Sequence, residues 1–435
     1  MANGDRLDSW KAIAAYLNRD ERTVRRWEKA SGLPVRRVAG GKGTSVFAYI
    51  TELDAWLAAA QPAANHVAAS AQTGDVRAAV SAEPAPLRRR AAAVLLAVGV
   101  VAGAIAWAVP PPGFEFSDLR VDVTDTAIVA VAGGREQWRH DFEGERVELP
   151  NERRRHPADL LERDPPGIVT ATAWHIGAST EAVGSGQVLS LSPSGALVRA
   201  FAFDDRLGFG ETDYAGPWGI NDFRVDDRAE GRRIAVAAHH FQWWPGLVTV
   251  LDADLQRQGT FVNAGWLERV HWLSVDRLVV SGFSNARDGG VVALLDAGAL
   301  DGQSPEEPGS PYYCQGCGGD RPLRYIVLPR SELNRITGSR FNRARFEVHS
   351  EGITVRSYEV QLSDTDALDA LYEFTSSLEF VSASFSTRYW EEHQALEAQG
   401  QIAHTRENCP DRDGPSELQV WEPRTGWTTV MLRGR

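Results

Sequence analysis

Gly246-Leu-Val-Thr-Val-Leu-Asp252 and Gly290-Val-Val-Ala-Leu-Leu-Asp296 are two copies of one pattern, and they decide the predicted fold. Each copy follows another apolar run that begins twelve residues earlier, at Ile234 and at Leu278. The offset between the copies is 44 residues for both runs. A strand that is apolar on both faces must be covered on both faces, so each copy predicts a sheet packed between two neighbouring sheets.

Weaker copies extend the repeat. One is Gly186–Ser192, which is followed by the turn 193–195, and another begins at Leu418 with a turn at 423–426. Repeats of about 40–45 residues that give a few antiparallel strands are typical of β-propellers. We therefore predict that residues 113–435 form an all-β propeller of about seven blades. Six or eight blades are equally compatible with the length, and a pair of β-sandwiches is the alternative. In architecture this region resembles WD40-like and quinoprotein-like propellers, although it lacks the WD dipeptide.

Three local features stand out in this region. Residues 391–401 have the composition of a short helical insertion. His239-His240 followed by Trp243-Trp244 could form a ligand-facing loop, but packing at the edge of a blade is the favoured interpretation. Acidic pairs such as Asp204-Asp205 are typical turn formers.

Cys314-Gln-Gly-Cys317 is a CxxC pair in a chain with three cysteines. A zinc ribbon would need a second pair, and only Cys409 remains. No histidine stands at a spacing that would complete a site, so no metal and no cofactor is predicted. A disulfide between Cys314 and Cys317 is favoured over free thiols and over metal binding.

Residues 91–109 read AAAVLLAVGVVAGAIAWAV and contain no charge. As a helix they would span about 28 Å, close to the hydrocarbon thickness of a bilayer. Arg88-Arg89-Arg90 precede them and three prolines follow at 110–112. This pattern predicts a single transmembrane helix and an inner-membrane protein with a cytoplasmic N-terminus and a periplasmic or extracellular C-terminal domain. A buried alanine-rich core helix is the alternative.

The charge is unevenly distributed along the chain. The net charge is −12, yet residues 1–90 carry fourteen Lys and Arg against nine Asp and Glu. Within that stretch, residues 61–90 are rich in Ala, Pro and Ser and predict a flexible linker with a basic membrane flank. A basic start on an acidic body indicates that the two parts meet different partners.

Residues 1–60 predict a small α+β domain. Trp10, Ile13, Ala14 and Leu17 fall on one face of a helix, and a second helix is predicted over 21–30 after a polar turn. Beyond it, two short β-prone runs flank a glycine-rich tip at 39–45, and a third helix is predicted from Thr51. This order predicts a winged helix-turn-helix domain.

The runs at 10–17, 22–28 and 32–35 resemble the excisionase and mercury-resistance-regulator (MerR-type) winged-helix group over residues 6–60. The resemblance implies that Thr23, Arg25 and Arg26 meet double-stranded DNA, with the wing beside them. Arginine forks suit guanine edges and phosphates, and basic wing residues suit the DNA backbone. The predicted DNA-binding residues are Arg19, Arg22, Thr23, Arg25, Arg26, Arg36, Arg37 and Lys42.

Together these features predict a membrane-anchored transcriptional regulator whose outer propeller senses a ligand or a protein. Two heads on a palindromic site would favour a homodimer. The alternatives are a membrane-anchored interaction or tethering protein whose N-terminal domain only docks, and a propeller enzyme with its site in the central channel. No nucleophile elbow, HExxH or P-loop occurs, so an enzyme is not expected.

Overall fold

The computed structural model describes residues 6–7, 9–16, 24–25, 28, 33–37, 46–49, 52–53, 115–177, 183–228, 231–338, 342–361 and 367–432. The chain divides into two compact units, Met1–Arg89 and Arg90–Arg435.

The first unit has one described helix and a small antiparallel sheet. Its elements are β1 (Arg6–Leu7), α1 (Trp10–Tyr16), β2 (Arg36–Arg37) and β3 (Val46–Tyr49). The strand order is β1-β3-β2, so β2 is an edge strand. The Ser9 hydroxyl accepts a hydrogen bond of 3.0 Å from the amide of Ala12, as an N-cap does. The buried apolar residues of this unit are Trp10, Ile13, Val24, Leu33, Val46, Ala48 and Leu53.

The predicted fold class is wrong as stated. It combined a small α+β winged helix-turn-helix domain, one transmembrane helix and an all-β propeller of about seven blades, whereas the described residues are mostly strands. The α-helices with described bounds are α1, α2 (Glu332–Ile336) and α3 (Thr387–Ala398), and all three are short. The helix predicted over 21–30 falls largely outside the described residues.

The predicted membrane topology and inner-membrane location are corrected as well. Among the described residues, no helix is long and apolar enough to cross a bilayer. The longest, α3, has 12 residues, which is about 18 Å of helix against the roughly 30 Å that a span requires. Residues 91–109, where the span was predicted, lie outside the described residues.

The second unit is an all-β domain. Among its described residues, three short 3₁₀ segments accompany the strands, at Phe116–Asp118, Asn151–Arg153 and Arg406–Asn408. The strands are β4 (Arg120–Val123), β5 (Ala127–Ala132), β6 (Arg135–Asp141), β7 (Arg146–Glu148), β8 (Ala158–Leu161), β9 (Gly167–Ile176), β10 (Val183–Leu191), β11 (Leu197–Ala202), β12 (Arg206–Phe209), β13 (Thr212–Ala215), β14 (Trp218–Arg228), β15 (Gly231–His240), β16 (Gly246–Asp252), β17 (Arg257–Asn263), β18 (Leu267–Trp272), β19 (Arg277–Ser284), β20 (Gly289–Asp296), β21 (Gly302–Gln303), β22 (Cys314–Gln315), β23 (Arg324–Leu328), β24 (Ala344–His349), β25 (Gly352–Gln361), β26 (Ala367–Phe374), β27 (Phe380–Phe385), β28 (Glu417–Glu422) and β29 (Gly426–Met431).

In the described part of the second unit, five main sheets follow one another along the chain. Sheet I is β4-β5-β6, and sheet II is β11-β10-β9-β7, with β8 also paired to β9. Sheet III is β14-β15-β16-β17, with β21 added in parallel, and sheet IV is β18-β19-β20-β23-β28-β29. Sheet V is β24-β25-β26-β27, and a small extra sheet joins β13, β12 and β22.

Apolar clusters fill the spaces between successive sheets, as in a propeller. Strand β15 shows how. Ile234, Val236 and Ala238 face sheet II, while Ala235 and Ala237 face sheet IV, and all five are fully buried. The strand is therefore apolar on both faces because it is covered on both faces. This confirms the propeller-like part of the prediction.

The predicted repeat corresponds to a structural repeat. The copies at 186, 246 and 290 lie in β10, β16 and β20, each the third strand of its sheet. The copy at 418 does not form a blade of its own, because the hairpin β28-β29 extends the outer edge of sheet IV. The described residues form five such sheets, not seven.

The helical insertion predicted over 391–401 is confirmed as α3, which begins at Thr387 and is capped by Ser386. Its buried residues are Tyr389, Trp390, His393 and Leu396.

Candidate functional site

The first strands of sheets III, IV and V contact one another directly. The side-chain amide of Asn221 on β14 donates to the carbonyl of Leu267 at 2.7 Å. Arg269 on β18 donates to the carbonyl of Phe346 on β24 at 2.8 Å. These bonds join three sheets through their innermost strands.

Charged side chains fill the same region, and we call them the inner charge cluster. They are Glu152, Asp222, Arg224, Glu268, Arg269, Arg343 and Arg345. Arg345 donates to Glu268 and its guanidinium lies 2.9 Å from a carboxylate oxygen of Glu152. Arg269 donates to Glu152 as well. Glu152 is thus held between arginines of sheets IV and V, and Glu268 pairs with two arginines of the β24 segment.

Asp222 is the most isolated member of the cluster. Its side chain is fully buried, and burial raises its pKa to about 7, although Arg224 at 3.4 Å and the amide of Val270 at 3.2 Å oppose the shift. Its Oδ1 atom has no hydrogen-bond partner in the described structure. Asp222 therefore changes its charge near neutral pH.

The carboxyl of Glu268 behaves differently. Burial disfavours the charged form of Glu268, but the charges of Arg343 and Arg345 outweigh burial and hold its pKa below the usual range. A general acid in a paired-carboxylate site needs a raised pKa, and Glu268 has the opposite shift. The cluster therefore has the electrostatics of a buried ion network.

Sequence reasoning missed this cluster, although a signal was present. Asp222 and Arg224 are two residues apart, as are Arg343 and Arg345, so each pair projects from one face at its strand. Charges two residues apart, in or beside strands of different sheets, point to a shared inner surface.

Aromatic rings cover one end of sheets II, III and IV, around the loop between β15 and β16. Trp243 stacks on His239 with ring centroids 4.7 Å apart, and it also contacts the ring of Trp266 at 4.4 Å. Phe241 meets Trp174 edge to face at 6.2 Å and is 39% exposed. We call the rings of Trp174, Phe241, Trp243 and Trp266 the aromatic end.

The backbone around the aromatic end is specialised. Trp243 has φ of +79°, a left-handed conformation that a bulky residue rarely adopts. Gly219 on β14 packs directly against the ring of Trp174. A Cβ added at this position would lie only 2.2 Å from a ring atom, so the close approach requires glycine. Strain of this kind concentrates at functional sites.

The two histidines of the predicted loop are buried within it. His239 shares a hydrogen bond of 2.7 Å with the carbonyl of His240, and His240 lies 3.3 Å from the carbonyl of Ala215. Burial lowers the pKa of His240. These contacts correspond to packing at the edge of a blade, and the exposed part of the loop is Phe241.

A second set of rings lies on the other side of the loop. Trp244 contacts Phe209, Tyr214 and Tyr312 at 5.3, 5.0 and 5.7 Å. Tyr312 belongs to the segment that carries Cys314 and Cys317, and the structure joins these cysteines in a disulfide with a Cα–Cα distance of 5.6 Å. The segment that contains the disulfide thus packs against the loop through Tyr312.

The predicted DNA-binding residues are only partly described. Arg19, Arg22, Thr23, Arg26 and Lys42 lie outside the described residues. Arg25 lies over the ring of Trp10 at 4.7 Å, Arg36 pairs with Glu52, and Arg37 pairs with Glu28 at 2.7 Å. Their role in binding DNA stays a prediction.

One group in the described residues has the composition of a metal centre, which the sequence did not predict. It consists of Glu332, His393, His404 and Cys409.

Comparisons with known proteins give no family. No family model and no curated protein matches the chain. Among solved structures, the Dos1 propeller is similar with 11% identity and a TM-score of 0.34, over 73% of this chain and 68% of that chain. The AfRom2 CNH domain has 11% identity and a TM-score of 0.27, over 74% and 91%. Drosophila Plexin A in complex with Semaphorin 1b has 8% identity and a TM-score of 0.20, over 74% and 86%.

Likenesses this weak carry no argument about function. The description of the second unit as a β-propeller-like all-β domain therefore rests on its own sheets, their register and the apolar clusters between them.

Proposed function

We propose that this chain is an interaction protein whose β-propeller-like domain binds a protein partner at the aromatic end. The observation that carries the proposal is the loop between β15 and β16, which exposes Phe241 beside half-buried Trp174 and Trp243. Binding energy at protein interfaces concentrates in a few aromatic and arginine anchors of this kind. Large aromatic rings also bring much contact area at little cost in side-chain entropy.

The charge pattern supports binding over catalysis. The buried carboxylates Glu152 and Glu268 both face arginines, which neutralise them. The pKa of Asp222 is raised and that of Glu268 is lowered, but both residues are buried, at 0% and 6% exposure, which does not suit acid–base chemistry on a bound substrate.

The test compares two exposed apolar residues at opposite ends of the sheets. Phe241 is 39% exposed at the aromatic end, and Val275 is 41% exposed in the turn between β18 and β19. The full chain would carry the photo-cross-linker benzoylphenylalanine at position 241 or at position 275, in cells that produce the protein. We expect a discrete cross-linked protein from position 241 and none from position 275.

Once the partner is captured, affinity measurements follow with Phe241→Ser and with Val275→Ser as the matched control. Loss of an aromatic anchor is expected to weaken Kd by about thirtyfold, which corresponds to about 2 kcal/mol. Identical cross-links from both positions, or equal affinities for both variants, would contradict the proposal.

Double-stranded DNA is a second proposed partner, for the unit Met1–Arg89, and the role of a transcriptional regulator depends on it. The observation in its favour is that β2 is an edge strand whose Arg36 and Arg37 side chains are about half exposed. Their ion pairs with Glu52 and Glu28 are at the surface, where such pairs are weak and exchange readily for phosphate.

Anisotropy titrations of the full chain with labelled DNA across a salt series test this partner. If both arginines contact phosphates, Arg36→Ala/Arg37→Ala should reduce the salt slope by about 2. The charge-matched control is Arg120→Ala/Arg139→Ala, which changes two exposed arginines of the second unit. Binding without salt dependence, or an unchanged slope, would remove DNA from the list of partners.

A further inference from the structure

Three separate segments meet beside sheet V. They are α2, which precedes β24, α3, which follows β27, and the 3₁₀ segment Arg406–Asn408 with the cysteine that ends it. Ser331, the cap of α2, donates its amide to Glu359 on β25 at 2.9 Å. An apolar cluster that includes Leu333, Tyr389 and Leu396 packs the three segments together.

Four side chains from these segments converge at one point. The Oε2 atom of Glu332 lies 3.1 Å from Nε2 of His404, 3.6 Å from Sγ of Cys409 and 4.0 Å from Nε2 of His393. One ligand atom from each residue lies within 4.8 Å of all the others. In a tetrahedral zinc site, with Zn–N near 2.0 Å and Zn–S near 2.3 Å, the donor atoms are about 3.3–3.8 Å apart. Small side-chain rotations therefore bring this group to ligand spacing.

The histidines give independent support for a ligand. His393 is buried, with a side chain only 1% exposed, and neither of its ring nitrogens has a hydrogen-bond partner in the described structure. His404 Nε2 faces Glu332 but does not meet hydrogen-bond geometry. Buried polar atoms in native proteins are nearly always satisfied, and an ion is one of the few explanations for such an orphan.

The surroundings suit a metal-bound thiolate. Cys409 is buried and free, while the other two cysteines of the chain are bonded to each other. The amide of Asp411 donates to Cys409 Sγ at 3.4 Å. Outer contacts of this kind orient and stabilise a coordinating ligand.

We propose that Glu332, His393, His404 and Cys409 bind a divalent transition metal, with Zn²⁺ as the ion that fits best. One thiolate, two imidazoles and one carboxylate form a mixed donor set that zinc accepts in tetrahedral geometry. The Cys409 thiol releases its proton when the metal binds. All four positions are filled by protein atoms, which is the arrangement of structural zinc sites. The ion would fasten α2 and α3 to the segment that ends at Cys409.

Metal content and competition test the site. The full chain, purified without a histidine tag, would be stripped with a chelator, reloaded with Zn²⁺ and titrated against a chromogenic chelator. We expect one tightly bound zinc per chain. Co²⁺ in place of zinc should give the intense visible bands of a tetrahedral site and a thiolate charge-transfer band.

Two variants and one control complete the test. Cys409→Ser is nearly isosteric and should weaken zinc affinity by more than a hundredfold and abolish the charge-transfer band, since even outer contacts of a metal site are worth ten- to a hundredfold. His404→Gln changes a partly exposed ligand and serves if the first variant does not fold. His349→Gln alters an exposed histidine on sheet V and should bind zinc like the wild type.

Folded wild-type protein that takes up no zinc in the competition assay would overturn the proposal. So would a Cys409→Ser variant that keeps the wild-type affinity and cobalt spectrum.

Discussion

Asp222→Asn should stabilise the protein at alkaline pH and leave it nearly unchanged at acidic pH. Asp222 has a pKa of about 7 in the folded chain, against an ordinary value of 3.8. Below about pH 4 the carboxyl is protonated in both the folded and the unfolded chain and contributes no pH dependence. Between about pH 4 and pH 7 the unfolded chain loses the proton while the folded chain keeps it. Stability therefore falls as the pH rises through this window.

The size of the effect follows from the shift. About 3 pKa units at 1.36 kcal/mol each give about 4 kcal/mol as an upper value for the cost of ionised Asp222 above pH 7. Asparagine keeps an oxygen that can accept from the amide of Val270, and it never ionises. The gain in the free energy of unfolding should therefore grow from near zero at about pH 4 toward this value at about pH 8.

Urea unfolding followed by tryptophan fluorescence at a series of pH values measures the difference. The control is Asp254→Asn, which removes an exposed carboxylate paired with Arg199 at 3.8 Å and should change stability little at any pH. The reasoning is refuted if the two variants have the same pH profile, or if Asp222→Asn destabilises the protein at about pH 8.

Two further changes probe the packing of the sheets. Gly219→Ala places a Cβ against the ring of Trp174, so it should lower the free energy of unfolding by about 1–3 kcal/mol and alter the tryptophan emission. The control Gly319→Ala adds a Cβ that meets nothing within 4 Å and should leave stability unchanged. Equal shifts of Tm in the two variants would argue against close packing at Gly219. Arg345→Met leaves two buried carboxylates without their shared partner, so the free energy of unfolding in urea should fall by about 3–5 kcal/mol. Arg120→Met, which changes a side chain that is 78% exposed, should lower it by less than about 1 kcal/mol. Comparable losses in the two variants would mean that the buried ion pairs stabilise the fold no more than surface pairs do.

The propeller-like fold was predictable because its signal is local and repeated. Ile234, Val236 and Ala238 face one neighbouring sheet, and Ala235 and Ala237 face the other, so the strand has no polar side to expose. A continuous apolar run with a fixed offset to the next copy therefore indicates sheets stacked side by side. The number of blades was not predictable by dividing length by repeat. The segments around 203–217, 302–323 and 386–416 add to the length of the domain but form no blade, so dividing the length by 44 overestimates the number of blades.

The membrane prediction is not supported by the described residues, and it rested on composition alone. Residues 91–109 satisfy the hydropathy of a span, but the described helices are all too short to cross a bilayer. The first unit was harder for a related reason. Its described strands are two to four residues long, so periodicity gives little information about where they begin and end.

Whether a candidate site could be predicted also depended on whether its residues are close together in the sequence. Cys314 and Cys317 are three residues apart, and the disulfide between them was predicted from this local pair together with an expected position outside the membrane. The four proposed zinc ligands come from positions 332, 393, 404 and 409, and no short motif connects them. Only the folding of α2 and α3 against sheet V brings Glu332 and His393 together.

The strand register also explains why both proposed sites lie at one end of their sheets. His240, at the end of β15, pairs with Trp218 at the start of β14, so the aromatic loop lies where the innermost strand of sheet III begins. In sheet V the end of β25 pairs with the start of β24, so α2 and α3, which adjoin the start of β24 and the end of β27, lie at the corresponding end. The opposite end has short turns, such as 273–276 and 253–256. Three of the four proposed zinc ligands lie on the long connection between β27 and β28, which can vary without disturbing the stacked strands. The aromatic loop, residues 241–245, is close in length to these turns, so Val275 is a fair control for Phe241.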